Sequence, residues 1–475
     1  MRRRPAPSRG EGPAAAAGLL GEGGEKDGRC GWHSTMADIL EKRVERRTVL
    51  PVGLSCEKQT RNEETVRIAT VLRKLLGVTS LLVKAVMFEA KGMVVNVRPR
   101  WRNPRCSRCG KVCTAYDRCP PRKWRHLAYG RLLLWLRYAP LRVDCPRCGI
   151  HVEQVPWASP SSRFTSEFEE LVAYYAQQMA KTAVAKLLGI DWRTVGAIVE
   201  RLISERLDPK RLDDLTVIGV DELSFRRRHN YVTVVVDHLR KRVVWVGEGK
   251  SGDTLRAFFD ALGPERTAKL THVTMDLSSA FIAAVDERAP QAEKVFDRFH
   301  VQRLASDAVD EVRRDEVRRL ANRNTGEATA LKQSRWALLK KPWNLELREE
   351  SKLAEVQQTN KRLYRAYLLK ESLASGLDYR QPARAERHLD NWMSWARRSR
   401  LRPFVRVAKT IQRFKQGVLA YVRTRLTNGL VEGLNNKTRL ITRRAFGFHS
   451  ARALMAMIHL CCGGITLAPP LPVPT

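Results

Sequence analysis

The stretch TVIGVDELSF, residues 216–225, combines the pattern of a buried strand with two acids. Four apolar or small residues run directly into Asp221 and Glu222. Alternation along a strand sends these two side chains to opposite faces, so Glu222 is expected to point away from whatever Asp221 faces. A carboxylate at the end of a buried strand costs folding free energy unless a partner compensates its charge. Asp221 therefore indicates a functional site.

More strand patterns follow this stretch. Three Val-rich runs between residues 216 and 249 have the spacing of an antiparallel meander. HVTMD at 272–276 predicts a fourth strand and AEKVFD at 292–297 a fifth, with helical segments between them. If the fourth strand is parallel to the first, Asp221 and Asp276 lie side by side outside the strand ends. The pattern predicts a mixed α/β layer.

Two neighbouring carboxylates repel each other unless divalent cations lie between them. Mg²⁺ takes oxygen ligands, and a two-metal site needs a third acid beside Asp221 and Asp276. Glu432 is the candidate, in the amphipathic helix of TNGLVEGLNNKTRLITRRAFGFHS, although its helix pattern also fits an ordinary surface residue. The residues that follow it suit contact with a phosphate backbone, and the predicted DNA contacts there are Asn435, Lys437 and Arg439.

Other acids compete for a place in the predicted cleft. Asp237 ends the second strand and could lie near it. Asp297 and His300, in DRFH after the fifth strand, are expected to line it, with His300 either positioning a phosphate or capping a helix. Asp253 and Asp260 fit a helix cap and a solvated helix face.

The 475-residue chain carries a strong excess of positive charge. It has 86 Lys and Arg against 50 Asp and Glu, a formal charge of +36, which a polyanionic partner would neutralise. Nucleic acid is the first candidate and an anionic membrane surface the second. Charged or helix-breaking residues interrupt every apolar run before it reaches spanning length, and no secretory signal is evident. We expect a cytoplasmic protein without a membrane span.

Two cysteine pairs predict a zinc site. Cys106 and Cys109 lie in PRCSRCG, Cys145 and Cys148 lie in VDCPRCG, and 35 residues separate the pairs. Two such Gly-closed turns supply four thiolates for a tetrahedral Zn²⁺, and a closed site of this kind stabilises structure. The alternative is four unmetallated cysteines in a core. Less favoured substitute ligands are Cys113, Cys119 and His126.

The segment KTAVAKLLGIDWRTVGAIVER, residues 181–201, has the pattern of a helix-turn-helix. Gly189 supplies the turn and Asp191 can cap the second helix. The predicted inward residues are Val184, Leu187, Leu188, Val195, Ile198 and Val199. The predicted DNA contacts are Lys181, Trp192, Arg193 and Thr194. An ordinary helical hairpin is the alternative, but the charge and the cysteine module favour DNA binding.

Several ordered motifs together resemble the DDE transposases of bacterial insertion sequences, in particular the ISL-three family. The matching stretches are the two cysteine pairs, GVDELSFRRRHNYVTVVVD, VTMDLSSAF, DRFHVQRL and the segment around Glu432. The resemblance covers residues 75–465 and implies that the DDE triad is Asp221, Asp276 and Glu432. It also implies a multidomain α/β fold with an N-terminal zinc ribbon, a helix-turn-helix, and an RNase H-like mixed-sheet catalytic domain with a large helical insertion.

The predicted segments follow from this resemblance and from composition. They are a disordered or uncertain N-terminal extension (1–74), a zinc-ribbon domain (75–158), a helix-turn-helix domain (164–208), a catalytic domain (215–300 and 426–465), a basic helical insertion (301–425) and a Pro-rich tail (466–475). Residues 1–35 are expected to be disordered, or else translation starts at Met36.

The resemblance further implies Mg²⁺- or Mn²⁺-dependent cleavage at terminal inverted repeats and strand transfer to target DNA. It implies at least a dimer in the active complex and a location at the bacterial nucleoid. A catalytically inactive DNA-binding regulator derived from a transposase remains an alternative. So does an RNase H-like nuclease.

Overall fold

The computed structural model describes residues 49–51, 68–78, 80–90, 92–226, 230–322, 325–445 and 447–468. Most of the predicted N-terminal extension and of the Pro-rich tail therefore lies outside the described residues. Within them the fold is mixed α/β, with three sheets and many helices, so the predicted class is confirmed. No helix in these ranges is long and apolar enough to cross a membrane.

The N-terminal part is built of short strands in two sheets. One sheet has the order β1-β2-β3-β6-β5, with β3 and β6 parallel, and the other has the order β4-β7-β8. The strands are β1 (Val49–Pro51), β2 (Leu81–Glu89), β3 (Gly92–Pro99), β4 (Thr114–Arg118), β5 (Arg122–Tyr129), β6 (Leu132–Tyr138), β7 (Leu141–Cys145) and β8 (Gly149–Val152). Helix α1 (Ile68–Leu75) precedes β2.

This part is more elaborate than the sequence pattern indicated. The spacer between the cysteine pairs contains a hairpin, β5–β6, that leaves the cysteines and extends the first sheet. It does so because the alternating apolar residues of β6, Leu134 and Leu136, need a core, and they pack with Val95, Trp124 and Trp157. Only β4, β7 and β8 remain beside the cysteines.

Three helices follow: α2 (Ser166–Gln178), α3 (Lys181–Leu188) and α4 (Trp192–Arg206). Helix α3 ends at Gly189 in the left-handed region (φ 59°), and Asp191 caps α4 by accepting the Arg193 backbone N–H at 2.8 Å. Val184 and the predicted inward residues of α4 are buried, as expected. The prediction for Leu187 was wrong: it is exposed, although it lies only three residues after the buried Val184.

The central sheet has the strand order β11-β10-β9-β12-β13. The first three strands form the predicted meander, and the fourth is parallel to the first, which confirms the topology on which the pairing of Asp221 with Asp276 depends. The strands are β9 (Val217–Arg226), β10 (Asn230–Asp237), β11 (Arg242–Glu248), β12 (His272–Met275) and β13 (Glu293–Phe296). The helices between them are α5 (Gly252–Leu262), α6 (Pro264–Thr267) and α7 (Ser279–Arg288).

Alternation along β9 divides the core into two layers. Ile218 and Val220 face a core built from α5, α7 and the helices that follow β13. Leu223 and Phe225 face a second core, which the helix-turn-helix segment shares with the last two helices of the chain. Each fully buried side chain of this size contributes about 1.5–3 kcal/mol, so both layers hold the sheet firmly. Asp221 has the parity of Leu223 and so faces the second layer.

The described residues from 298 to 424 form helices and no strand, which confirms the predicted helical region. They are α8 (Arg298–Ala321), α9 (Thr325–Gln333), α10 (Arg335–Leu339), α11 (Leu347–Thr359), α12 (Lys361–Asp378), α13 (Pro382–Arg398), α14 (Arg402–Arg413) and α15 (Lys415–Thr424). Two more helices, α16 (Gly429–Arg444) and α17 (Ala451–Cys462), return to the central sheet.

Candidate active site

Asp221 and Asp276 meet at the edge of the sheet where β12 ends. Thr274 pairs with Gly219, so the same parallel register carried two residues further sets Asp276 beside Asp221. Strand β9 itself does not end at Asp221, contrary to the prediction, because its antiparallel pairing with β10 continues to Arg226. The cleft is thus formed by the end of one strand against the middle of its neighbour.

Asn435 of α16 is the third side chain at this point. Its Nδ2 donates to Asp221 Oδ2 at 2.6 Å, and only 1% of the residue is exposed. Its Oδ1 is buried without a hydrogen-bond partner. The sequence suggested a contact between Asn435 and DNA, but here its amide faces a carboxylate and not solvent.

The clustered acids alter one another's protonation. Burial, and then the charge of Asp276, raise the pKa of Asp221, while the Glu222 backbone N–H and Asn435 partly offset this. Burial, followed by the charges of Asp276 and Asp221, raises the pKa of Glu222 to about 7. Glu222 was expected to point away from the cleft, yet these charges reach it because Asp276 lies beyond the last residue of β12. Its Oε2 is also buried without a hydrogen-bond partner.

Asp297 and His300 lie at the start of α8, close to the two aspartates. Asp297 Oδ2 contacts His300 Nδ1 at 3.1 Å, and this bond raises the pKa of His300, with further contributions from the charges of Asp276 and Asp221. Asp297 is buried and its Oδ1 also accepts the backbone N–H of Asn428 at 3.3 Å. The pair therefore orients one histidine toward the acids and anchors the start of α16.

A buried polar network underlies the cleft. Thr274 Oγ1 donates to Asn428 Oδ1 at 2.5 Å, and His238 Nε2 contacts the same hydroxyl at 2.8 Å. Asn428 Nδ2 in turn donates to the carbonyl of Val220 at 3.3 Å, one residue before Asp221. These bonds connect β9 and β12 to the residue that precedes α16.

Glu432 lies in the first turn of α16 and is exposed. It is three residues before Asn435, so the two share a face of the helix. In the described part of the chain, only the four predicted zinc cysteines bring three or more Cys, His, Asp or Glu ligand atoms within 4.8 Å of one another. Asp221 and Asp276 are gathered with Asn435, and Glu432 lies one turn away.

Asp237 does not belong to this cleft. It pairs with Ile218 at the opposite end of β9, because β10 runs antiparallel to β9. Its Oδ1 accepts the backbone N–H groups of Leu239 and Arg240, at 2.9 and 3.2 Å, and so caps the turn before β11.

The remaining predicted DNA contacts fall on two surfaces. Lys437 donates to the Cys461 carbonyl at 2.7 Å and Arg439 to Asn436 Oδ1 at 2.9 Å, both on the exposed side of α16. Trp192 and Arg193 are exposed at the start of α4, and Thr194 beside them is half-buried. Lys181 is also half-buried, and burial lowers its pKa.

The four cysteines converge as their spacing predicted. The Sγ atoms of Cys106, Cys109, Cys145 and Cys148 lie within 4.8 Å of one another, with Cys109 Sγ and Cys145 Sγ 3.6 Å apart. Backbone N–H groups, that of Arg147 first, lower the pKa of Cys145 to about 6, which favours the thiolate that Zn²⁺ binds. The group includes neither Cys119 nor His126, which instead contacts Thr165 at 2.8 Å.

Comparison with known proteins matches two segments of the chain to transposase families. Residues 218–458 match a family described as "Transposase", and residues 153–203 match the "Helix-turn-helix domain of transposase family ISL3". The chain is 39% identical over 431 residues to the transposase for insertion sequence element IS1557 of Mycobacterium tuberculosis, covering 84% of this chain and 96% of that protein. It is 28% identical over 356 residues to the transposase for IS1001 of Bordetella parapertussis, covering 74% and 87%.

A DNA-binding helix-turn-helix and a transposase domain with clustered carboxylates define the class: an enzyme that cuts and transfers DNA. The chain belongs to the ISL3 family of insertion-sequence transposases. The predicted family and function are confirmed.

Proposed function

We propose that the chain cuts DNA at the terminal inverted repeats of an insertion sequence and joins the freed 3′ ends to target DNA. Asp221, Asp276 and Glu432 are the proposed catalytic carboxylates of an RNase H-like domain. The observation that carries the proposal is the adjacency of Asp221 and Asp276 where β12 ends, with a buried amide of α16 hydrogen-bonded to Asp221.

The donor set fits Mg²⁺ or Mn²⁺. Carboxylate and amide oxygens are the ligands that such hard cations take. Two buried oxygens beside the cleft, Asn435 Oδ1 and Glu222 Oε2, have no hydrogen-bond partner, which is the state expected of atoms that face a cation. Divalent cations bound here would supply an activated water and charge stabilisation for the leaving 3′ oxygen.

The residues around the cleft have separable roles in this proposal. Asn435 fixes the orientation of Asp221 through its 2.6 Å bond. Asp297 holds His300 and favours its protonated form, so that His300 can neutralise an oxygen of the attacked phosphate. Glu432 completes the acid set from the exposed edge of α16, where a DNA backbone can approach.

DNA is held by the rest of the chain. Helices α3 and α4, through Lys181, Trp192, Arg193 and Thr194, bind the terminal repeats, and Lys437 and Arg439 contact the backbone near the cleft. The zinc ribbon stabilises the N-terminal region, and the basic helical insertion neutralises flanking phosphates. Two ends must be joined in one complex, so the active form is at least a homodimer.

A cleavage assay tests the proposal. A plasmid with the native flanking DNA of this gene is incubated with purified protein and Mg²⁺, and new 3′ ends are mapped. Asp276→Asn is expected to reduce cleavage at least about a hundredfold, because removing one ligand charge costs several kcal/mol of transition-state stabilisation. Asp260→Asn is the matched control, since Asp260 lies on α5 and pairs with Arg288 at 2.7 Å outside the cleft.

The other outcomes have defined meanings. Specific binding of the repeats without breaks by the wild-type protein would indicate a transposase-derived DNA-binding regulator. Breaks without sequence preference would indicate an RNase H-like nuclease. Equal cleavage by wild type and Asp276→Asn would refute the assignment of the catalytic carboxylates.

A further inference from the structure

A groove of about 730 Å³ lies between the helix-turn-helix and the C-terminal helices. One wall is the start of α3 and α4, with Lys181, Trp192 and Arg193. The other wall is the connection between α16 and α17, with Phe448 and His449. The groove is therefore formed jointly by the helices predicted to bind DNA and by the part of the chain that carries the cleft.

Aromatic and cationic side chains dominate this groove. The rings of Trp192 and His449 are 5.6 Å apart at 38°, and Trp192 is 40% exposed although it is a large aromatic side chain. Lys181 Nζ lies 5.4 Å from the Phe448 ring centre, and the Arg193 guanidinium lies 5.4 Å from that of Trp192. The walls thus combine aromatic rings with positive charges that lie over two of them.

The negative charge in the groove is compensated. Glu200 lines it, but Arg452 Nε contacts Glu200 Oε2 at 2.9 Å, and the charge of Glu200 also acts on Lys181. Lys181 and Arg193 leave the site positive. Aromatic rings with cations beside them match a nucleic-acid base attached to its phosphates, because bases stack on aromatic rings and phosphates need positive charge.

Two independent elements give the approximate distance from the catalytic cleft to residues that line this groove. Along β9, four residues separate Asp221 from Phe225 in the groove, which is about 13 Å. Along α16, ten residues separate Asn435 from Ala445 in the groove, which is about 15 Å. Since successive nucleotides of one strand rise about 3.4 Å, the groove lies about four base pairs from the cleft.

We propose that this groove binds one unstacked DNA base, within about five nucleotides of the cleaved phosphate, against the exposed ring of Trp192 beside His449. Lys181 and Arg193 face the adjoining phosphates. A base inside a duplex has both faces covered by its neighbours, so it must leave the stack to reach these rings. The proposal rests on the proposed function, because it places the base relative to the bond that is cut.

A double-mutant cycle between protein and DNA tests the base site. Duplexes of the element end carry a single abasic residue at each of the eight positions nearest the cut, and their affinity for the full chain is measured in Ca²⁺. Trp192→Ala is expected to weaken binding of the intact duplex about 5- to 150-fold, the range for losing one stacked base. That loss is expected to vanish at one abasic position within five nucleotides of the cut, where the base is already missing.

Matched variants make the result specific. Trp343→Ala removes an equally large aromatic ring from the helical insertion, where Trp343 is 72% exposed, and is expected to leave the pattern across positions unchanged. His449→Ala is the second groove variant. Thermal melting of the Trp192→Ala and His449→Ala proteins shows whether each is folded. The base site would be overturned if Trp192→Ala lowered the DNA affinity by the same factor at every abasic position, or did not lower it at all.

Failure of the base site is distinguishable from failure of the proposed function. The wild-type protein is assayed in parallel for cleavage of the unmodified end in Mg²⁺. Cleavage without any position-specific coupling would overturn only the base site. Absence of both specific binding and cleavage in the wild-type protein would overturn the proposed function, and the base site with it.

Discussion

Thr274→Val is expected to loosen the attachment of α16 to the sheet. Thr274 is fully buried, and its hydroxyl donates to Asn428 Oδ1 and contacts His238 Nε2. Because that hydroxyl gives its only proton to Asn428, His238 must donate to it through Nε2. Valine keeps the shape of threonine but removes both bonds, so that two desolvated polar groups lose a partner.

The expected loss of folding free energy is about 2–6 kcal/mol, because each of the two buried polar groups left without a partner costs about 1–3 kcal/mol. We expect a thermal midpoint several degrees lower and faster hydrogen exchange at the start of α16. Cleavage of the element end should fall as well, while duplex binding by the helix-turn-helix remains, since α16 carries Asn435, which binds Asp221, and the proposed catalytic Glu432.

Thr271→Val is the matched control. Thr271 lies just before β12 and is exposed, although its hydroxyl donates to the Thr216 carbonyl at 3.0 Å. Water can replace that partner, so the change should cost less than about 0.5 kcal/mol. Equal effects of the two substitutions on stability, or a Thr274→Val protein as stable as wild type, would refute the role of the buried network.

Three further changes test other parts of the site. Without a cation, the free energy of unfolding should fall as the pH rises from about 4.5 through 7, because Glu222 releases its proton at lower pH in the unfolded chain than in the folded protein. Glu222→Gln should remove this loss, a gain of about 1–2 kcal/mol at pH 8 after allowing for partial exposure. Urea unfolding at pH 5 and at pH 8 measures the difference. Chelation of zinc, or Cys145→Ser, should unfold β4, β7 and β8, because the core they share is made, among the described residues, of cysteines and Val143. Faster hydrogen exchange over residues 105–153 would show this. Gly219→Ala should lower the free energy of unfolding by about 1–3 kcal/mol, because the new Cβ would lie 2.4 Å from Val431 Cγ2; unchanged melting would contradict that packing.

The sheet topology was predictable because local patterns determine it. Val-rich runs with short connections specify the meander, and the helical segment before HVTMD provides the crossover that a parallel strand requires. Asp221 and Asp276 could therefore be placed together without a structure. The helix-turn-helix and the cysteine site were equally accessible, since each depends on residues close together in the sequence or on a repeated turn motif.

The contacts that were missed join distant segments. Asn435 is 214 residues from Asp221, and no local pattern reveals which face of α16 meets β9. Its spacing of three residues from Glu432 was the available signal, because it places the amide on the same helix face as the predicted acid. Glu222 was assigned by strict strand alternation, which cannot anticipate a neighbour such as Asp276 that lies beyond the end of its strand.

Helix α16 also ties the cleft to the helix-turn-helix mechanically. Its sixteen residues span about 24 Å, and at its far end Arg444 donates to the carbonyls of Ala176 and Gln177, at 3.1 and 3.2 Å, where α2 ends. The helix thus holds α2, which packs against α4, at a fixed distance from Asp221 and Asp276. Under the proposed function, the protein then sets the spacing between the repeat that the helix-turn-helix binds and the bond that is cut. A base pair inserted between them in the DNA should therefore move the cut within the sequence by one position.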